Sequence, residues 1–251
     1  MIFLRNRYFE TALDIIYPRH CPVCDGVLPT FTFDRGRIKR GRMIHRDCLK
    51  KIEFVRGSTC FKCGKPLGKD SDEEYCQDCK ERRHFFTRGY SLFVYRSISG
   101  SIYRFKYMGR QEYAGFYGLA TRKVLGDTLK RLGIEAVVPV PMYEKKQLKR
   151  GYNQAEVYAR SVSAELGIPL YKDLVKRVRN TLPMKELDAL GRRNNLKKAF
   201  IIPKNDVKFK CVLIIDDIYT TGSTIDEIAH EFQMAGVDRI YFLTLAIGQT
   251  T

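Results

Sequence analysis

Residues 212–224, Val-Leu-Ile-Ile-Asp-Asp-Ile-Tyr-Thr-Thr-Gly-Ser-Thr, constrain the fold of this chain more than any other stretch. Four apolar residues run directly into two adjacent carboxylates. A hydroxyl-rich loop with one glycine follows, then an amphipathic run from Thr224 to Ala235. So short an apolar run, bounded by a turn signal, reads as a buried strand of a parallel sheet. The run after the loop reads as a helix, and its start offers free N–H groups and the positive end of the helix dipole to an anion. Gly222 permits positive φ, and Thr220, Thr221, Ser223 and Thr224 add hydroxyl donors. Asp216 and Asp217 stand at the carboxyl end of the strand, where ligand crevices of open α/β sheets lie. Carboxylates repel a phosphate but suit a diol, or a hydrated magnesium ion beside a phosphate. The residues therefore call for a phosphorylated sugar with its hydroxyls toward acids and its phosphate toward amides. The plainer alternative is a strand ending in two solvated acids before an ordinary helix cap.

The remainder of the chain fits a parallel α/β body. Tyr90 to Tyr95 alternates as a strand, Ile98 to Tyr107 reads as a helix broken at Gly109, and residues 113–132 form a further helix ending at Gly133. Ala136 to Pro141 is a buried strand stopped by prolines. A basic loop, Glu144 to Gln154, feeds a helix to Leu166; Gly167 to Leu170 begins another strand, and Val237 to Ile247 supplies the last. Repeated βα units imply a parallel sheet covered on both faces.

Seven of the eight cysteines precede residue 80. They fall as Cys21-x2-Cys24, Cys60-x2-Cys63 and Cys76-x2-Cys79, while His45 and Cys48 form a further pair. A two-residue gap lets both ligands point at one tetrahedral ion. Cys60, Cys63, Cys76 and Cys79 read as one zinc site; Cys21, Cys24, His45 and Cys48 read as a second. His20, beside Cys21, is a rival ligand, and spacing alone leaves open whether the pairs join sequentially or cross over. Residues 19–84 hold few aliphatics, so a module here needs structural metal to stay folded. Cys211 reads as core.

Met1 to Pro18 has apolar residues spaced for one helix face but carries Arg5, Arg7, Glu10 and Asp14, which sets it apart from a secretory signal. The expectation is a short helix over 1–18, a zinc-binding module over 19–85 and an α/β domain over 86–251. No apolar stretch is long enough to span a membrane, and the expected compartment is the cytoplasm.

The 212–224 string resembles the signature of type I phosphoribosyltransferases, which bind 5-phosphoribosyl 1-diphosphate. That resemblance implies that Asp216 and Asp217 hold the ribose 2′- and 3′-hydroxyls and that residues 220–224 wrap the 5′-phosphate. The order of motifs along the whole chain is similar to the ComF competence family, a zinc-finger segment followed by a type I phosphoribosyltransferase fold. It rests on the cysteine pairs, Phe105-Lys-Tyr-Met-Gly, Val138-Pro-Val-Pro141, Lys149-Arg-Gly-Tyr-Asn-Gln154, Arg177-x-Arg-x-Thr181, Arg192 to Asn195 with Phe200, and 212–224. The resemblance places diphosphate at Pro139, Val140 and Pro141, with Lys149 and Arg150 following. It implies magnesium as cofactor and, from the family name, a link to DNA uptake. Two departures stand out: Met184 occupies a place where the family usually has glutamine, and His45 replaces a cysteine. Hypoxanthine-guanine enzymes carry an aspartate at the position of Thr220 that serves the base, so a purine acceptor activated that way does not fit. The segment 176–198, basic and without a strong apolar period, reads as a hood over the site.

Charge adds a second class of partner. Lys and Arg number 45 against 28 acids, a net +17. An excess of this size favours nucleic-acid backbones, and aromatic residues among the cations, such as Phe85, Phe86, Tyr103, Phe105, Tyr107 and Tyr113, can stack on single-stranded bases. The plainer reading puts most of those rings in the core. Two functions follow: a phosphoribosyltransferase active or kept as a ligand pocket, and a protein that handles single-stranded DNA.

Overall fold

The structure, a computed structural model, describes residues 14, 16–34, 37–68, 71–178, 199–202 and 207–248. A hairpin of β1 (Phe31–Asp34) and β2 (Arg37–Arg40) and two short helices, α1 (Arg46–Leu49) and α2 (Gln77–Glu81), lie in the cysteine-rich segment. Then come β3 (Arg88–Val94), α3 (Tyr95–Tyr107), α4 (Tyr113–Arg131), β4 (Ala136–Pro139), α5 (Glu144–Arg150) and α6 (Gln154–Leu166). A small ladder of β5 (Lys176–Arg177) and β6 (Phe200–Ile201) precedes β7 (Cys211–Tyr219), α7 (Ser223–Met234) and β8 (Arg239–Ile247). The central sheet has the order β3-β8-β7-β4, with every pair parallel. The α/β class with a parallel sheet is the one read from the sequence.

Because side chains alternate across a strand, the sheet builds two buried clusters. Val137, Leu213, Ile215, Leu243 and Leu245 pack with apolar residues of α3, α4 and α6. Val138, Val212, Ile214, Ile240 and Phe242 pack with Ile225, Ile228 and Phe232 of α7. The cysteine-rich segment is shared between the two faces. Cys21, Leu28, Ile44 and Cys48 join the first cluster, whereas Cys60, Cys63, Cys76 and Phe86 join the second. On the second face the tip of the Phe242 ring closes over Gly89, where an added Cβ would sit 2.0 Å from it.

Three local expectations change. The stretch read as a basic loop is a helix over Glu144–Arg150, with Glu144 in its first turn and Lys149 and Arg150 in its last, the charge order a helix dipole favours. The strand expected from Gly167 forms only a single bridge, Leu170 to Val137, because Pro169 has no N–H to continue a ladder. Strand β7 runs through both acids to Tyr219 instead of stopping before them. It outruns β4, whose last pair is Pro139 with Ile215, so the carboxylates lie beyond the end of their neighbour. That overhang opens the crevice.

The N-terminal helix expected over 1–18 lies almost wholly outside the described residues, as do Met184, Arg192 to Asn195 and most of the expected hood. Among the described residues, no helix is long and apolar enough to cross a membrane.

Candidate functional site

The crevice lies between the carboxyl ends of β4 and β7. A cavity of about 130 Å³ is lined there by Val140, Pro141, Arg177, Asp216, Asp217 and Thr224, together with the start of α6. The Val140 N–H donates to the Ile215 carbonyl at 2.8 Å, and Asn153 Nδ2 donates to the Val140 carbonyl at 2.9 Å. Asn153 also caps α6 by accepting from the Ala155 N–H at 3.1 Å, so one side chain fixes both the helix start and the loop after β4. Asp216 Oδ1 accepts from the Asp217 N–H at 2.8 Å. Asp217 Oδ2 meets Lys106 Nζ, from the end of α3, at 2.7 Å, with both side chains mostly buried.

Residues 220–224 form the adjoining turn, enclosing a small hollow of about 20 Å³. Gly222 is the N-cap of α7 with φ +76, a left-handed conformation that glycine adopts without a Cβ penalty. Thr221 Oγ1 and Ser223 Oγ lie 3.0 Å apart. The first-turn amides of α7 lack intrahelical acceptors and lie at this turn.

Burial first, then the charge of Asp217, pushes the Asp216 carboxyl up to about 7. Burial disfavours the Lys106 ammonium, but Asp217 and Asp216 outweigh it and raise its pKa. Arg177 is shifted down by burial, with Asp216 pulling the other way. A guanidinium stays charged through such a shift. The pocket thus holds two acids against two cations in a poorly solvated corner. A ligand bringing hydroxyls, anionic oxygens and a divalent ion can satisfy all four.

The cysteine pairs join sequentially. Ligand atoms of Cys21, Cys24, His45 and Cys48 lie within 4.8 Å of one another, as do those of Cys60, Cys63, Cys76 and Cys79. In the first cluster His45 Nδ1 is 3.3 Å from Cys24 Sγ while Nε2 is 3.2 Å from the Val27 carbonyl. A carbonyl only accepts, so Nε2 carries the proton and Nδ1 turns its lone pair to the thiols, as in a ligating histidine oriented by a backbone oxygen. His20 is engaged elsewhere, with Nδ1 3.1 Å from Arg110 Nη1, and is not the fourth ligand of this cluster. In the second cluster a hydrogen bond from Cys79 holds the Cys63 thiol down at about 6, and burial with thiolate repulsion pushes Cys76 up to about 11. Crowded thiols that cannot all ionise alone are what a tetrahedral dication relieves. Both donor sets fit zinc.

A double zinc ribbon model matches residues 12–80. Competence protein F of Haemophilus influenzae is 34% identical over 206 residues, covering 79% of this chain and 88% of that protein. The chain belongs to the competence protein F (ComF) family. The DNA utilization protein YhgH of Salmonella typhi is 30% identical over 189 residues, 72% of this chain and 80% of its own. Competence protein ComFC of Bacillus subtilis is 24% identical over 198 residues, 75% and 77% respectively. The N-terminal zinc ribbons of this ComF chain make zinc a structural component.

Of the residues named from sequence in this ComF protein, Val140, Pro141, Asp216, Asp217 and Thr224 meet at one cavity, and residues 220–224 form the turn beside it. Pro139 sits one residue back, paired in β4. Lys149 is exposed on α5 and does not line this cavity, and Arg150 bonds Gln154 Oε1 at 3.1 Å at its edge. Lys106 and Asn153 lie in motifs that carried the family resemblance, yet spacing gave them no place at the pocket, whereas Arg177 belongs to the start of the expected hood. Three separate elements bring them there.

The raised Asp216 pKa has a testable sign. An unfolded aspartate titrates near about 3.9, so the folded chain holds this proton more tightly, and the stability it contributes is lost as pH rises toward the folded value. Thermal unfolding between about pH 5 and pH 8 should show Tm falling more steeply in wild type than in D216N. Equal slopes would exclude the buried acid as the source.

Proposed function

We propose that this protein binds 5-phosphoribosyl 1-diphosphate with magnesium, as a phosphoribosyltransferase-domain protein of DNA uptake. The observation that carries this is the overhang of β7, which sets Asp216 and Asp217 between the Gly222 turn and the loop after β4. The turn would take the 5′-phosphate, the two acids the ribose hydroxyls, and Val140 and Pro141 with Arg177 the diphosphate. Magnesium would neutralise charge on the departing diphosphate, and the acids would stand opposite the incipient oxocarbenium ion. Residues 19–85 would form the zinc module, with Cys21, Cys24, His45 and Cys48 on one ion and Cys60, Cys63, Cys76 and Cys79 on the other. Residues 86–251 would form the phosphoribosyl domain. Calorimetry with magnesium and the diphosphate sugar tests the site: magnesium-dependent binding is expected, and heat that is absent in wild type removes the reading.

A second role, handling single-stranded DNA, is favoured by a surface at the edge of this crevice. Tyr103 and Tyr107 are exposed with centroids 5.1 Å apart, and Arg150 lies 4.7 Å over the Tyr107 ring. The net +17 supplies the electrostatic partner. The names of the relatives, which speak of competence and DNA utilization, point the same way. Affinity for a short single strand should fall steeply with salt, by a logarithmic slope of about 0.7 per neutralised phosphate. A flat response would exclude backbone binding.

A further inference from the structure

Tyr219, the last residue of β7, ties the phosphate turn to the second cysteine cluster. Its hydroxyl lies directly beneath Gly222, where an added Cβ would be 2.5 Å away. Its ring stacks on Phe242 at 4.9 Å with an interplanar angle of 3°. Phe242 in turn lies on Gly89 and meets Phe86 edge-on at 4.8 Å. The Gly89 N–H donates to the Lys62 carbonyl, inside the Cys60–Cys63 knuckle, at 2.8 Å. Gly64, just after that knuckle, packs so closely that a Cβ there would lie 2.5 Å from the Gly89 carbonyl oxygen. Cys60, Cys63, Cys76, Phe86, Tyr219 and Ile225 accordingly belong to one buried cluster.

A second tie runs outside this core. Asp226, in the first turn of α7, accepts from the Phe85 N–H at 3.1 Å and pairs with His84 Nδ1 at 2.6 Å. His84 and Phe85 are the chain leaving the second cluster. The turn is thus held from below by Tyr219 and from the side by the ribbon's exit. The first cluster sits on the opposite face of the sheet, against α3 and α4.

We infer that the second zinc centre is the foundation of the phosphate turn, with Tyr219 as the positioning residue, so that metal retention there and phosphosugar binding are thermodynamically linked. The inference rests on the phosphoribosyl reading of the pocket and adds a regulation to it. Linkage is reciprocal: whatever the metal contributes to sugar-phosphate affinity, the sugar phosphate returns to metal affinity. Loss of metal from the second centre would thereby switch off the site without any change at Asp216 or Asp217.

The test uses the full chain loaded with cobalt, whose bands differ between a four-sulfur site and a three-sulfur, one-nitrogen site, so each centre is read separately. Cobalt is competed against a chelator with and without ribose 5-phosphate, which addresses the turn but carries no diphosphate to bind metal. Ligand should raise cobalt affinity of the four-sulfur centre on the order of tenfold and leave the other centre unchanged. Tyr219→Leu should abolish that gain and weaken ribose 5-phosphate binding to a similar extent, while Tyr219→Phe, which keeps the stacked ring, should restore most of both. Equal protection of the two centres, or none in a wild type that binds the sugar phosphate by calorimetry, overturns the linkage and leaves the pocket standing. A wild type that binds neither ribose 5-phosphate nor the diphosphate sugar overturns the pocket, and the linkage with it.

Discussion

Asp216→Asn combined with Asp217→Asn is expected to weaken binding of 5-phosphoribosyl 1-diphosphate on the order of 10²–10⁴-fold. Each carboxylate is proposed to accept from a ribose hydroxyl or to serve the magnesium shell, and hydrogen bonds to charged groups contribute about 1.5–3 kcal/mol apiece. The single variants should not sum to the double. Asp217 donates its N–H to Asp216 Oδ1, and residues in one hydrogen-bond network couple. Stability should separate them. D217N takes away the carboxylate that Lys106 meets at 2.7 Å in a mostly buried position and should lower Tm. D216N removes a carboxyl already held up to about 7 by burial, and should not lower Tm at neutral pH. Calorimetry on variants that melt well above the assay temperature isolates the binding loss, and undiminished affinity in the double variant would remove the acids from the site.

Stripping zinc should have the largest effect on the fold itself. Structural zinc sites contribute about 10–16 kcal/mol at neutral pH, comparable to the whole stability of a typical domain. The two clusters are also part of the body, since Cys21 and Cys48 lie in one buried core and Cys60, Cys63 and Cys76 in the other. A strong chelator should therefore unfold the ribbons and expose the β3 edge of the sheet, with recovery when zinc is returned. Cys60→Ser, at a fully buried ligand position, should lower Tm on the order of 10 °C or more. Metal analysis should give two zinc ions per chain; one ion would remove the His45 centre, and an unchanged Tm after complete chelation would end the structural role.

Much of the site was legible because its chemistry is local. The strand, acids, glycine and hydroxyls of 212–224 are consecutive, so their order survives any tertiary arrangement. The cysteine gaps are equally local, and a two-residue spacing already fixes the geometry of a knuckle. What spacing could not decide was pairing. Whether Cys21 and Cys24 meet His45 or Cys60 depends on the path of twenty residues between them, including the unforeseen hairpin Phe31–Arg40. The helix over Glu144–Arg150 was missed because its sequence, Glu-Lys-Lys-Gln-Leu-Lys-Arg, has no apolar stripe to mark a face.

Lys106, Asn153 and Arg177 come from three different elements and converge only when β4 and β7 lie side by side. The same holds for Tyr219, which follows the acids with no role of its own in the sequence until Phe242 and the Cys60–Cys63 knuckle are placed around it. The amino-acid order by itself determined the parallel α/β class, the acid pair with its turn, and the thiol groups. Only the tertiary structure decided which cation faces which acid, which thiols come together, and what lies beneath the Gly222 turn. Bonding preferences within a few residues are set by covalent spacing, whereas contacts across the sheet are set by strand register, alternation and the burial of both faces.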